Sequence, residues 1–365
     1  MNTQAFCYFA VIAALITGKA AVAGEKIVPK SAQFDVRHEL KVKVPEGAQR
    51  VRIWFALPQD VNEQKIKNLK IESVHPHHFK KDSEGNELLY VELKQPHESE
   101  LTILTTFSLT RKEVRKQMDA EKAKPLSESE RTKMTRYLQS NANIVIDDNI
   151  RKLAKEIVGD ENNPVRAARK LYDWVLANVD YWVKDPATRK ASPVGSSEYC
   201  LSSKTGNCTD FHSLWTALAR ASDIPTRMVY GSFFKAELDG KDVDQSYHCW
   251  PEFYVTGIGW IPHDVAVADI FVGDFKLNKD NEVLVARTTA DGYKGAEPAK
   301  IDYYFGNIDE RRVTWSIGRD LILNPKQDGG PVNALPKAYL EIDGKIYVEK
   351  DGWTRKLTYI EKKSR

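Results

Sequence analysis

The sequence has almost no net charge, no internal repeat, no low-complexity tract and only 4 cysteines in 365 residues. Lys and Arg total 54 against 51 for Asp and Glu, a net charge of +3 with no basic stripe, which argues against nucleic acid as a partner. Beyond the N-terminus no segment is apolar enough to cross a bilayer. What remains is an ordinary globular composition, 42% hydrophobic and 29% charged, long enough for two or three domains.

Residues 1–23 differ from the rest. Residues 6–17 are apolar, and Ala21-Val22-Ala23 fits a small-x-small cleavage pattern with Gly24 as the new N-terminus. The apolar run is too short for a permanent anchor. This predicts a signal peptide, a periplasmic or secreted protein and no stable membrane insertion after cleavage; an uncleaved interfacial anchor is the alternative. Cleavage leaves Cys200, Cys208 and Cys249. An odd count in an oxidising compartment flags a free thiol or an intermolecular bridge. A Cys200–Cys249 disulfide would leave Cys208 free; two small buried thiols are the other reading.

From 33 to 110 the pattern is that of strands. Phe34, Val36, His38, Leu40, Val42 and Val44 alternate with charged and polar residues, the period of a half-buried strand. Apolar runs at 51–57, 88–93 and 101–109 follow, separated by turn signals, and together predict a small antiparallel β-sandwich. Residues 111–133 are densely charged and read as a linker or solvated helical connection. Helices follow: one capped at Asp147 or Asp148 and ending near Gly159, and one opened by Asn163-Pro164. A third starts at Cys208 or Thr209, with Phe211, Leu214, Trp215 and Leu218 on one apolar face. Runs at 228–234, 247–255 and 260–267 then read as strands, and after Asp269 mostly short strands are expected. The predicted division is a signal peptide at 1–23, a β-sandwich at 24–115, an α+β core at 116–275 and a β-rich extension at 276–365.

One constellation in the core carries chemistry. Thiol acyl transfer needs a thiolate, a group that shuttles the proton, and a third group that holds the imidazole. Cys208 heads a predicted helix, where the dipole and free N–H groups favour a thiolate and can hold an oxyanion. Gly206 leaves room for substrate beside the sulfur. Asp210 suits the first helical turn but opposes the thiolate if it points at it. His248 and Asp264 lie on two strand-like runs joined by the turn Thr256-Gly257-Ile258-Gly259, so a hairpin brings them close. Alternation puts Cys249 on the opposite face of the strand from His248. Taken singly, each residue has a structural reading: a buried capping Cys, a core His, a turn Asp.

Three blocks resemble the transglutaminase-like (papain-like) family. Gly206-Asn207-Cys208-Thr209-Asp210-Phe211, with Leu214, Leu218 and Ile224-Pro225-Thr226-Arg227, is similar to the family's nucleophile block. His248-Cys249-Trp250-Pro251-Glu252 is like its His-x-Trp-x-Glu, and Gly259-Trp260-Ile261-Pro262-His263-Asp264 is like its Gly-Trp-x-x-x-Asp. The resemblance covers 164–270. It implies helices packed on an antiparallel sheet, with Cys208 as nucleophile, His248 as base and acid, and Asp264 as orienter. The leading expectation is a cysteine hydrolase, acting on an amide of a peptide or cell-wall fragment with water as acceptor. Transfer to a protein amine, or a non-catalytic binding module, are the alternatives. The sequence departs from the family at Cys249, where a small residue is usual, and at Pro251. Trp182 is the candidate for the oxyanion-binding Trp of the animal enzymes. Nothing resembles their acidic calcium loops, and no cofactor or metal is expected.

Other residues have weaker readings. A zinc site from Cys200, Cys208, His248 and Cys249 has the wrong spacing. His75, His77 and His78 read as loop residues. Arg319 reads as half of a buried ion pair, and Trp250 as core or groove wall.

Overall fold

The computed structural model describes residues 28–362; the cleavage pattern at Ala21-Val22-Ala23 lies outside the described residues. The strand Ser31–Lys43 follows its alternation: Ala32, Phe34, Val36, His38, Leu40 and Val42 point inward, and the residues between them outward. It lies second in a four-stranded antiparallel sheet, between Trp353–Glu361 and Glu100–Lys112, with Gln64–Glu72 at the far edge. A five-stranded sheet packs against it in the order Lys345–Ile346, Ala338–Ile342, Arg50–Ala56, Glu87–Lys94, His77–Lys81. Leu40, Val42 and Ile103 of one sheet meet Ile53, Phe55 and Val91 of the other in one apolar cluster, which makes the pair a sandwich. His77 and His78 begin an edge strand and are not loop residues.

The second body is α+β. A four-stranded antiparallel sheet runs Gly259–Pro262, Tyr247–Val255, Thr226–Phe233, Arg312–Ile317. The helix Cys208–Ala221 lies on it, surrounded by helices Asp148–Val158, Pro164–Asn178, Ser197–Ser203 and Val265–Ile270. The caps are the expected ones. Asp147 accepts from the Ile150 N–H at 2.8 Å, and Asn163 accepts from Val165 and Arg166 ahead of Pro164. Residues 111–133 are tied to both bodies rather than free. Val114–Arg115 pairs with Asn307–Ile308, and Ser127 caps the helix Glu128–Lys133 with a full capping box.

The last 90 residues depart from the expected extension. Arg312–Ile317 completes the core sheet, whereas Ala338–Ile342 and Trp353–Glu361 return to the two sheets of the sandwich. Glu282–Thr288 and Pro298–Tyr303 are helices, not strands. The reason is general. A short strand's partner is another strand's open edge, and that edge is not written in its own residues. The returning strands join the bodies: Val313 and Trp315 of the core sheet are buried with Phe34, Trp54, Phe107 and Tyr359 of the sandwich.

Candidate active site

Cys208 begins its helix because Asn207 and Asp210 form a capping box. Asn207 Oδ1 accepts the Thr209 and Asp210 N–H groups at 2.9 and 3.1 Å, and Asp210 Oδ2 accepts the Asn207 N–H at 2.9 Å. The Cys208 N–H is not among those the Asn207 side chain takes. Asp210 accepts two further backbone N–H groups, from Ser192 at 3.0 Å and Ser196 at 2.8 Å. Its carboxylate is therefore engaged by the loop behind the helix, although burial raises its pKa to about 6. Gly206 has a different role from the expected one. A Cβ there would stand 2.4 Å from Asp210 Cβ and 2.8 Å from its Oδ2, so the absent side chain makes room for the capping carboxylate.

His248 sits on the strand Tyr247–Val255, opposite Gly231. The hairpin to Gly259–Pro262 forms with Val255 facing Gly259, but the second strand ends at Pro262. Asp264 is thus not a strand residue. It caps the helix Val265–Ile270, accepting the Val267 N–H at 3.0 Å. From that position its other oxygen, Oδ2, lies 2.7 Å from His248 Nε2. With Nε2 so engaged, Nδ1 is the ring nitrogen left for the Cys208 sulfur, which is within hydrogen-bonding reach of the ring. The structure brings all three predicted site residues together.

Burial and charge set the protonation states. The Cys208 thiol is held well below its ordinary value, first by a hydrogen bond from Cys249, then against burial by the charge and hydrogen bond of His248. Burial pulls His248 down, but the charges of Asp264 and Cys208 outweigh it and raise the ring to about 9. Burial opposes ionisation of Asp264, yet His248 and Arg312 keep it well below the carboxylate range. Both shifts favour a thiolate on Cys208 beside a protonated His248 ring.

Three further residues meet this site. Arg312, fully buried on the last strand of the core sheet, reaches Asp264 Oδ2 at 2.5 Å and Asp309 at 2.9 Å. His212 lies one helical turn after Cys208, with Nε2 3.3 Å from Asp264 Oδ1; its i, i+4 spacing from Cys208 was the available signal. The Tyr181 hydroxyl is within hydrogen-bonding reach of the Cys208 sulfur. Cys208 and His248 open into a cleft of about 300 Å³ walled by Tyr181, Trp182, Tyr247, Leu284 and Arg287.

Cys200, Cys208 and Cys249 are all free and buried; Cys200 lies near Asp210, and no Cys200–Cys249 bridge forms. Among the described residues no group of His, Cys, Asp and Glu is arranged to hold a metal ion. Among the described residues Arg319 has no ion-pair partner; it donates to the Val194 and Gly195 carbonyls, Ser213 and Asn333. Trp250 is core, packed with Val114, Val229 and Ile308.

Residues 151–265 match the Transglutaminase-like superfamily. Over 344 residues the chain is 25% identical to an uncharacterized protein of Haemophilus influenzae, with 88% of each chain covered. Its fold resembles a solved structure described as "a Putative Cysteine Protease from Cytophaga hutchinsonii". The TM-score is 0.50 at 16% identity, over 90% of this chain and 98% of that one. The chain therefore contains a transglutaminase-like core domain, over residues 151–265.

Proposed function

We propose that the chain is a cysteine-dependent acyl-transfer enzyme that hydrolyses an amide, in a peptide or cell-wall fragment, through Cys208, His248 and Asp264. The observation that carries this reading is the buried line from the helix-heading sulfur through the His248 ring to Asp264, opening on a cleft. The Cys208 thiolate attacks the carbonyl carbon. The oxyanion that forms is met by the Cys208 N–H at the helix N-terminus, with the Trp182 indole N–H as the candidate second donor. His248 gives its proton to the leaving amine, and a thioester remains. His248, now neutral, takes a proton from water; the hydroxide adds to the thioester, and Cys208 leaves as thiolate. Asp264 holds the ring so that one nitrogen always faces the sulfur.

Export belongs to the same proposal, supported by the apolar run at 6–17 and Ala21-Val22-Ala23. Among the described residues no helix is long and apolar enough to cross a membrane. The test is a peptide-amide library offered to the wild type and to Cys208→Ala, with and without a primary amine. Thioester trapping and cleavage by the wild type alone support hydrolysis. Products carrying the amine would move the reading to transamidation. A wild type as inert as Cys208→Ala, and equally unlabelled by a haloacetamide, would leave a binding module.

A further inference from the structure

The proposed hydrolysis leaves a second thiol–imidazole pair unused. Cys249 Sγ lies 3.5 Å from His212 Nδ1, and His212 Nε2 lies 3.3 Å from Asp264 Oδ1. Asp264 thus stands behind both His248, which faces Cys208, and His212, which faces Cys249. The two sulfurs converge: Thr209 Oγ1 is 3.5 Å from Cys249 Sγ and 3.9 Å from Cys208 Sγ. Cys249, His212 and Asp264 have no solvent exposure, whereas Cys208 lines the cleft. A small oxidant entering the cleft therefore meets Cys208 first.

We propose that Cys249 is a resolving thiol, closing a reversible disulfide with Cys208 after a peroxide has oxidised Cys208 to the sulfenic acid. This rests on the reading of Cys208 as a reactive thiolate. In the first step the Cys208 thiolate attacks the near oxygen of the peroxide. An S–O bond forms, the O–O bond breaks, and water or an alcohol leaves once protonated; sulfur is oxidised and the peroxide reduced. In the second step the Cys249 thiol passes its proton to His212 Nδ1. The Cys249 thiolate attacks the Cys208 sulfur, an S–S bond forms, the S–O bond breaks, and the departing hydroxide takes the proton back from His212 as water. A dithiol reductant reverses the bond.

The electrostatics order these steps. Burial, with the neighbouring Cys208 thiolate, keeps Cys249 protonated and well above the thiol range, so in the reduced protein it donates to Cys208 and does not compete for substrate. Burial also keeps His212 below the ordinary histidine range, so its ring is a neutral acceptor. Oxidation of Cys208 to a neutral sulfenic acid removes the negative charge that opposed ionisation of Cys249. The resolving thiol is thereby released only after the nucleophile has been hit, before it proceeds to the irreversible sulfinic acid.

The test uses the full chain, reduced and then treated with about three molar equivalents of hydrogen peroxide, enough to carry an unprotected thiol to the sulfinic acid, with mass measurement of intact protein and peptides. The wild type should lose about 2 Da, with the Cys208 and Cys249 peptides joined, and dithiothreitol should restore haloacetamide labelling of Cys208. Cys249→Ala and Cys249→Ser should instead gain about 32 Da at Cys208, which dithiothreitol does not reverse. Cys200→Ala should behave as the wild type. A wild type left at its starting mass, or carrying the variants' irreversible oxygens with no joined peptide, overturns the proposal. Labelling of untreated protein is read separately: if Cys208 is no more reactive than an ordinary thiol there, the hydrolase reading fails, whatever the peroxide arm gives.

Discussion

His248 Nε2 and Asp264 Oδ2 lie 2.7 Å apart with no solvent at the carboxylate, although the two residues belong to different kinds of element. His248 is on a strand and Asp264 caps the helix that follows the next one. Arg312, arriving from the far edge of the same sheet, fixes the carboxylate from the other side. Asp264→Asn keeps the shape and removes the charge. Hydrolysis should fall about 10³–10⁴-fold because the ring loses both its orientation and its partner. Unfolding in urea should show a loss of about 3 kcal/mol, since Arg312 and the charged ring are left buried with less compensation. The carboxylate's folded pKa is depressed, so its stabilisation is complete above the ordinary carboxylate range and is lost as pH falls through the folded value. The variant should therefore show a flatter acid limb than the wild type in stability measured against pH.

Gly206→Ala tests whether the capping box positions the nucleophile. The new Cβ would press on Asp210 at 2.4 Å, against a carboxylate held by three backbone N–H groups. A stability loss of about 2 kcal/mol is expected from the damaged cap, together with slower alkylation of Cys208. Unchanged stability with unchanged alkylation would show that the loop can yield and that the cap does not set the sulfur's place.

Trp182→Phe separates oxyanion binding from thiolate formation. The aromatic wall of the cleft is kept and the indole N–H removed. Turnover should drop about 10²–10³-fold while haloacetamide labelling of Cys208 keeps its rate. Equal turnover in the two proteins would remove Trp182 from the mechanism and leave the Tyr181 hydroxyl as the group to examine next.

How much of this could be read in the chain varies with how local the signal is. The helix start at Cys208, the caps at Asp147 and Asn163 and the strand Ser31–Lys43 rest on residues within a few positions of each other, and all are found in the structure. The Asp264 cap was misread because Trp260-Ile261-Pro262 continues the strand pattern up to it, and a helix of six residues has too little period to show. Arg312 could not be found. Its partners lie 48 positions away and 3 positions away, and only the sheet's order brings the former within reach. That Cys249 meets Thr209 and His212 of the Cys208 helix, bringing the two sulfurs together, depends on tertiary placement that alternation does not encode.

The most direct test of the account is the rate at which Cys208 reacts with iodoacetamide as a function of pH, in the wild type and in His248→Ala. The surroundings lower the Cys208 thiol well below its ordinary range and raise His248 to about 9. Labelling of the wild type should therefore already be fast below the ordinary thiol range and change little until His248 titrates, whereas the variant should gain its rate only as pH approaches the free-thiol pKa of about 8.5. Coincident profiles for the two proteins, both rising near that value, would contradict the thiolate–imidazolium pair.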